Sequence, residues 1–416
     1  MTVEVGILNK QSVALAADSA VTVGINGKQK VYNSANKLFM LSSTSPIGIM
    51  IYGSAEHMGI PWETIIKMYR KQLNETIYQS TKEYADDFIE YISKDININS
   101  IAMKKFLNSY AYNLIDEISR TTYDSKTSTS SEIDILSKID DLVKIIDSDY
   151  KIPVELSHIT LEEYKESIIA TFNNYCRANK IINLNVTTLD KMFELFIKYV
   201  SCTYMTDASG IVIAGFGEDE YFPSLFSYII KGSIEGTLIY EEEEKVIISD
   251  ENEATIVPFA QTGMIRTFLQ GVNPELLKHS KKELDITVHS LLSGIKDIVL
   301  KSNPSTDENE LEKNLTELGQ KVVYDYINKL NSYRRDNHIT PIIDTVQMLG
   351  KEDLAAMAEN LVSITSMEKK MSMNIESVGG PIDVAVISKG DGFVWYKRKH
   401  YFDISYNQHF KNNRSL

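Results

Sequence analysis

Thr2 is the first residue of the chain whose chemistry suggests catalysis. Its side chain is small enough to permit removal of Met1, which would leave a threonine with a free α-amine. Such a residue carries a nucleophilic hydroxyl and a base together, since an α-amine titrates at about pH 7.7 to 8.0. Threonine paired with its own amine is a recognised form of the activated nucleophile. The sequence therefore predicts acyl transfer through Thr2.

The mechanism requires an amine that is largely neutral at working pH. A nearby cation favours the neutral amine, because like charges lower its pKa. Lys37 is the candidate cation, and Asp18 is the candidate carboxylate that holds it. Together these residues complete a predicted nucleophile, base and electrostatic support.

A β-hairpin is predicted to bring Asp18 beside Thr2. Residues 2–8 are rich enough in β-branched side chains for a strand, residues 9–11 form a tight turn, and residues 12–17 return as a second strand. An antiparallel hairpin of this register places Asp18 at the open end. Any buried hairpin shows the same pattern, so the hairpin alone leaves a purely structural role open.

Four segments in order along the chain, which contain Thr2, Asp18, Lys37 and Gly53, resemble the proteasome β-subunits and the related bacterial HslV peptidase. The run Val13-Ala14-Leu15-Ala16-Ala17-Asp18-Ser19, continued by Thr22 and Gly24, preserves the interval from nucleophile to aspartate. Lys37 opens a short strand and matches the family lysine. Gly53 ends the apolar strand 47–52 and matches the glycine of the family's oxyanion hole.

The resemblance implies a fold and further site residues. The implied fold is α+β, a four-layer αββα sandwich of the N-terminal-nucleophile (Ntn) hydrolases with an inserted all-α subdomain. The backbone N–H of Gly53 would stabilise the oxyanion, and Ser377 would support the amine. Val21, Thr22 and Ile51 would bind substrate, with a preference for apolar side chains.

Two later segments extend the resemblance, and two depart from it. Residues 210–217 resemble the entry to the family's second sheet, and residues 378–386 resemble the glycine pair before its last hairpin. Before that pair, Ser377 lies one place from the family position, and Glu376 is a candidate replacement for the family aspartate. Thr262 is a second candidate for amine support; the alternative is that it caps the following helix.

Helical patterns fill much of the rest of the chain. They predict that residues 1–82 are the N-terminal half of an Ntn domain, that residues 83–204 are an inserted helical subdomain, and that residues 205–416 are the C-terminal half of the same domain with extended helices. The pattern Thr160-Leu161-Glu162-Glu163 predicts a capping box, and the Ser/Thr-rich residues 125–131 predict a linker. Strands are predicted within residues 210–257, except for a solvated turn at the acidic run 241–244. The predicted helices span 55–76, 84–96, 101–119, 133–146, 161–178, 189–204, 281–301, 308–331 and 351–367.

Composition excludes several other classes of function. A net charge of −14 over 416 residues argues against general nucleic-acid binding, which needs a basic face. No apolar run approaches the ~20 residues of a membrane span, and no leader pattern precedes Thr2. Cys176 and Cys202 lie in apolar helical patterns, so we expect buried, reduced thiols and a cytoplasmic location. The histidines lack zinc-ligand spacing, and neither a metal nor a cofactor is predicted.

The sequence thus predicts a threonine-type endopeptidase that hydrolyses peptides or unfolded proteins. The family builds rings, so a homo-oligomeric ring is expected. No phosphate-binding Gly-x-x-x-x-Gly-Lys-Ser/Thr run occurs, so any unfolding would need a separate ATP-dependent unfoldase. Two alternatives stay open: a catalytically silent structural subunit, and an Ntn amidase that acts on a small non-peptide amide.

Overall fold

The computed structural model describes residues 2–25, 28–94, 96, 98–122, 132–179, 184–204, 208–305, 307–371, 379–400, 402 and 406. The structure is 55% helix and 21% strand, which agrees with the predicted α+β class. Two compact units divide the chain. The first comprises Met1–Ala35, Ile248–Val386 and Val394–Leu416, and the second comprises Asn36–Ile247 and Ile387–Phe393.

Strands and helices alternate in blocks along the chain. The strands are β1 Val3–Asn9, β2 Val13–Ala17, β3 Val21–Ile25, β4 Lys28–Tyr32, β5 Leu38–Met40, β6 Ile47–Gly53, β7 Glu56–His57, β8 Ile60–Pro61, β9 Ser209–Gly215, β10 Ser224–Ile234, β11 Thr237–Ile247, β12 Ala254–Ala260, β13 Asp383–Ser388 and β14 Gly392–Lys397. The helices are α1 Trp62–Leu73, α2 Thr81–Lys94, α3 Ser100–Thr122, α4 Glu132–Asp149, α5 Lys165–Ala178, α6 Val186–Ser201, α7 Gly263–Gln270, α8 Pro274–Ser302, α9 Glu308–Arg334, α10 Thr340–Met348 and α11 Lys351–Met371.

The first unit is built on a five-stranded sheet in the order β12-β1-β2-β13-β14. Strand β1 is antiparallel to β2, with Glu4 opposite Ala17 and Leu8 opposite Val13. Side chains alternate across a strand, so Val3, Val5 and Ile7 share one face and pack in a core with α10 and α11. The predicted N-terminal hairpin is therefore confirmed.

Asn9 fixes the turn of this hairpin. Its side-chain oxygen accepts hydrogen bonds from the backbone N–H groups of Gln11 and Ser12. Its side-chain amide donates to the carbonyls of Val346 and Leu349, which ties the turn to the end of α10. A buried asparagine with its polar atoms bonded in this way sets the register between β1 and β2.

The second unit contains a five-stranded sheet in the order β11-β10-β9-β6-β5. Ile47, Ile49 and Ile51 project from one face of β6 into a core shared with α1 and α2. Helices α3 to α6 form a second core, which Ile234 and Ile239 join from the ends of β10 and β11. The predicted division at residues 82 and 204 stays a prediction.

Several local predictions are wrong for identifiable reasons. The helix predicted over 55–76 begins only at Trp62, because Met58 and Gly59 take left-handed conformations (φ 49° and 86°) that turn β7 back into β8. The capping box at 160–163 does not form: Leu161 has φ 52°, and α5 begins at Lys165. The acidic run 241–244 lies inside the edge strand β11 rather than in a turn. The linker predicted at 125–131 lies outside the described residues.

Two long helices, α8 and α9, form an antiparallel pair in the first unit. Gly319 permits their close approach, since a Cβ there would lie 2.6 Å from Leu292 Cδ1. Lys296 of α8 binds Glu308 and Glu312 of α9 across the pair. Within the described ranges, none of the helices combines the length and the hydrophobicity that a bilayer crossing requires.

Candidate active site

Asp18 secures the N-terminal end of β1. Its carboxylate accepts hydrogen bonds from the backbone N–H groups of Val3 at 3.1 Å, Gly379 at 2.9 Å and Ala20 at 3.3 Å. Its own N–H donates to the carbonyl of Val3. Because the aspartate follows β2 directly, the hairpin register brings it to the residue after Thr2, as the spacing predicts. Asp18 is 1% exposed, so these charge-assisted bonds are shielded from water.

The Thr2 hydroxyl is bonded to a buried carboxylate. Thr2 Oγ1 donates to Glu4 Oε1 at 3.0 Å, and both residues are buried. Residues two apart on a strand share a face, which explains the pairing. The carbonyl of Thr2 accepts from the N–H of Gln261, so β12 holds this end of β1 from the other side.

Glu4 is a site residue that sequence reasoning missed. Glutamate is rarely fully buried unless it is paired, and Glu4 is 0% exposed. A detectable signal is present, because Glu4 is the one charged residue among the apolar residues and glycine of 3–8. A charge inside a fully buried strand, two places from a candidate nucleophile, indicates a functional partner.

The glycine pair 379–380 lies beside Asp18. The Ser19 N–H donates to the carbonyl of Gly379, and the Ser19 hydroxyl donates to the carbonyl of Pro381. Gly380 has φ 78°, and a Cβ there would lie 2.7 Å from the Cβ of Asn33. Only glycine fits this position, so the segment entering β13 is fixed against the loop after β2.

Thr262 directly precedes α7 and follows Gln261, whose backbone N–H donates to the Thr2 carbonyl. It precedes the helix with φ −86° and ψ −14° and makes no side-chain capping bond. Thr262 occupies the N-cap position and its carbonyl accepts from the Arg266 N–H, but its side chain does not form the capping bond. Its neighbour Gln261 contacts Thr2 through the backbone, and support of the amine by Thr262 stays a prediction.

Three predicted site residues, Lys37, Ile51 and Gly53, lie in the second unit. Lys37 is 5% exposed, directly precedes β5, and accepts at its carbonyl from the Ile51 N–H at 2.8 Å. Gly53 ends β6 with φ 77°, and a Cβ there would lie 2.4 Å from the carbonyl oxygen of Ala208. Ile51 is part of the core with α1 and α2. The catalytic and binding roles of these residues stay predictions.

Val21 and Thr22, two further predicted site residues, lie in strand β3. Val21 is half-buried at the start of β3, and Thr22 pairs with Val31 of β4. Ser377 and Glu376 lie outside the described residues. Their support of the amine therefore stays a prediction.

The two cysteines are poorly suited to act as nucleophiles. Cys176 and Cys202 are buried and form no disulfide, as predicted, and burial raises the pKa of the Cys176 thiol to about 11. A thiol with that pKa is a poor nucleophile at neutral pH. In the ranges that the structure describes, no group of three or more His, Cys, Asp or Glu could hold a metal ion.

Among solved structures, the chain is similar to structures of Anbu. The Anbu complex of Pseudomonas aeruginosa, described as a helical assembly, is 9% identical; the match covers 100% of this chain and 93% of that chain, with a TM-score of 0.28. Anbu from Hyphomicrobium sp. strain MC1 is 9% identical over 99% of this chain and 97% of that chain, with a TM-score of 0.29. A Gly-1 mutant of Anbu from that strain is 9% identical over 100% and 97%, with a TM-score of 0.27.

No protein-family model matches the sequence, and neither does any curated protein.

The predicted membership in the proteasome β-subunit and HslV family is wrong. The solved structures that the chain resembles are Anbu complexes, and Anbu is a proteasome-related Ntn family that is not HslV-like. The motifs that carry the resemblance are short, and a short hairpin pattern is not specific to one family. TM-scores below 0.5 do not establish a shared fold, so the four-layer αββα sandwich stays a prediction.

Proposed function

We propose that the chain is an N-terminal-nucleophile hydrolase that cleaves amide bonds of peptides through Thr2. The observation that carries this proposal is the hydrogen bond from Thr2 Oγ1 to the buried Glu4 carboxylate, beside an aspartate that holds the next backbone N–H. A hydroxyl oriented by a desolvated carboxylate is the starting arrangement for a nucleophilic attack.

The nucleophile is freed when Thr2 becomes the first residue of the mature chain. Two groups are then close enough to take its hydroxyl proton: the α-amine of Thr2 and the carboxylate of Glu4. We assign proton transfer to the amine, because an α-amine is a stronger base than a carboxylate. Glu4 acts as a positioning residue that fixes the direction of Oγ1.

The acyl-transfer steps follow from this arrangement. Thr2 Oγ1 attacks the carbonyl carbon of the scissile amide, and the amine passes the proton to the leaving nitrogen. An acyl ester on Thr2 remains, and water hydrolyses it to release the acid and restore the hydroxyl. Lys37 lowers the pKa of the amine, and the N–H of Gly53 stabilises the oxyanion. Ser377 supports the amine, and Val21, Thr22 and Ile51 shape an apolar substrate site.

Peptide hydrolysis by matched variants tests the proposal. The chain is produced as a fusion that releases Thr2 as the first residue, and turnover of fluorogenic peptides with apolar side chains is measured. Thr2→Ala should abolish turnover, whereas Thr2→Ser should retain part of it because a hydroxyl remains. Thr255→Ala, a change in the neighbouring strand β12, is the control and should behave as wild type. Equal turnover by Thr2→Ala and wild type would refute the proposal.

Self-association fits the exposed surface of the α8–α9 pair. Large apolar side chains remain exposed along both helices, an arrangement that usually marks a protein interface. A second copy of the chain is the proposed occupant, and a head-to-tail contact of this kind closes into a ring when its rotation permits. Light scattering on wild type and on Leu291→Glu should show an oligomer and its dissociation; a wild-type monomer at micromolar concentration would contradict it. The exposed apolar residues are Leu276, Ile286, Leu291, Ile295, Ile298, Leu318, Val322, Tyr324, Tyr326 and Tyr333.

A further inference from the structure

Lys231 is a buried lysine in strand β10 of the second unit. It is 5% exposed, and its ammonium donates to the carbonyls of Tyr199 and Cys202 at the C-terminal end of α6. The rings of Tyr110 and Tyr199 lie 5.1 and 5.2 Å from the nitrogen. Helix carbonyls and aromatic faces carry only partial negative charge, so they balance the ammonium incompletely.

A full counter-charge is missing around this lysine. Among the described residues, no carboxylate lies within 4.0 Å of the Lys231 nitrogen, in contrast to the paired Lys10 and Lys399. An ammonium has three N–H donors, and two of them are bonded to the carbonyls of Tyr199 and Cys202. Burial lowers the pKa of Lys231 to about 8, which is the expected effect of a desolvated cation without an anionic partner.

Lys231 lines an open cavity of about 620 Å³ within the second unit. This volume falls within the range of small-molecule sites. Met58, Ile60 and Phe106 give it an apolar wall, while Ser54 and Tyr110 add polar atoms. Ser54 directly follows Gly53, so the wall begins at the strand end that carries the proposed oxyanion donor.

We propose that this cavity binds a carboxylate-bearing ligand whose carboxylate pairs with Lys231 and whose hydrocarbon part contacts the Met58, Ile60 and Phe106 wall. The ligand carboxylate would accept a hydrogen bond from the third N–H of the Lys231 ammonium and supply the missing negative charge. Such a charge-assisted bond in a desolvated site gives both affinity and selectivity over a neutral isostere. Either a free C-terminal carboxylate or an acidic side chain of a peptide meets this description.

The neighbouring charges are consistent with an anionic ligand. Lys105 and Glu56 are both exposed on the cavity wall, so their opposite charges offset each other and Lys231 remains as the net positive charge. The Cys202 thiol beside the ammonium is buried, and burial raises its pKa, so it contributes no anion at neutral pH. A structural role as a helix cap explains the two carbonyl contacts but leaves the third donor and the cavity without a purpose.

Calorimetric titration with paired probes tests the site. The probes are N-acetylglutamate against N-acetylglutamine for the side-chain carboxylate, and a short apolar peptide with a free or amidated C-terminus for the terminal carboxylate. We expect the carboxylate member of at least one pair to bind about 10-fold or more tightly than its amide partner. The pair that discriminates identifies the source of the carboxylate.

Variants connect the preference to the cavity. Lys231→Met should remove it, because an apolar side chain of similar length cannot pair with an anion. Lys245→Met, an exposed lysine of β11, should leave it unchanged. If Lys231→Met fails to fold, Ala102→Phe, which fills the cavity from α3, should abolish binding of every probe.

The result that would overturn the proposal is equal affinity for acid and amide in both pairs, or no binding of any probe at millimolar concentration. An unchanged acid preference in folded Lys231→Met would also overturn it. None of these outcomes depends on hydrolysis, so failure of this site is distinguishable from failure of the Thr2 nucleophile.

Discussion

Two buried charges, Asp18 in the first unit and Lys231 in the second, are held in different ways. The Asp18 carboxylate accepts hydrogen bonds from the backbone N–H groups of Val3, Ala20 and Gly379, so its charge fixes the backbone around the candidate nucleophile. Lys231 donates to carbonyls at a helix end and borders a cavity. A charge surrounded by backbone donors organises a rigid site, whereas a charge beside an open cavity is suited to receive a ligand. This difference is the basis for proposing catalysis in the first region and ligand recognition in the second.

The largest expected effect comes from Asp18→Asn. Loss of the charge weakens the backbone contacts that set the Thr2 end of β1, and we expect peptide hydrolysis to fall by about 100-fold or more. The control is Asp250→Asn, which removes an exposed carboxylate bonded to Lys10 at the far end of the same hairpin. Steady-state kinetics on both variants measures the contrast, and a comparable loss in Asp250→Asn would indicate general damage to the hairpin.

Lys37→Ala tests the proposed role of Lys37 as the cation that acts on the Thr2 amine. If Lys37 depresses the pKa of the amine, we expect a loss of about 10-fold to 100-fold in kcat/KM and a shift of the pH profile to higher pH. The double variant with Asp18→Asn should lose less than the product of the single losses. Lys30→Ala is the matched exposed lysine. Greater sensitivity of Lys30 would move the cation to that residue.

Glu4→Gln is expected to have a smaller effect than either of these. The amide keeps the shape of the side chain and can still accept from Thr2 Oγ1, but it lacks the charge that strengthens the bond. We expect kcat to fall by about 10-fold with little change in KM, and Glu4→Ala to lose more. If Glu4→Gln instead removes the acidic limb of the pH profile, the carboxylate rather than the amine takes the proton.

The deprotonation of Lys231 should make the stability of the fold depend on pH in the alkaline range. Lys231 has a pKa of about 8 in the folded chain and near 10.5 when exposed, so the unfolded state binds more protons between these values. Stability contributed by this group therefore rises as pH increases from about 8 to 10.5. Lys231→Met should lack that rise in denaturant titrations, and Lys245→Met should retain it. A bound carboxylate should weaken the rise, because it restores the lysine's pKa.

The smallest expected effect is that of His57 on the stability of the fold at acid pH. Burial lowers the pKa of His57 to about 4, below the 6.5 of an exposed histidine, so protonation favours the unfolded state. Its contribution to stability is complete above pH 6.5 and declines as pH falls towards 4, by at most about 1.4 kcal/mol per pH unit. His57→Phe should reduce this decline relative to wild type, whereas His289→Phe, on the exposed face of α8, should not.

Local patterns predicted the parts of the molecule that depend on nearby residues. The β1–β2 hairpin followed from β-branched runs and a polar turn. The contact between Asp18 and the Val3 N–H then follows from register alone. Chemistry that depends on sequence spacing within one hairpin is therefore visible in the sequence.

Long-range and conformational features were not visible in the same way. The two carbonyls around Lys231 belong to Tyr199 of α6 and to Cys202, which directly follows α6, about thirty residues earlier in the chain. The sequence of β10 contains no pattern that predicts these contacts. The left-handed Leu161 overrides a capping pattern because the tertiary fold, rather than local propensity, decides where α5 begins. The role of Glu4 is difficult to predict for another reason, because apolar residues dominate the pattern of β1 and a single charge changes that pattern little.

The central claim is that Thr2 forms a covalent acyl intermediate as the first residue of the mature chain. The direct measurement is peptide mapping by mass spectrometry after reaction with a β-lactone, which acylates a nucleophile without a leaving group. The account predicts an N-terminal peptide that begins at Thr2 and carries one acyl group on that residue, lost in Thr2→Ala. Acylation at another residue, or peptide hydrolysis by a chain in which another residue still precedes Thr2, would contradict it.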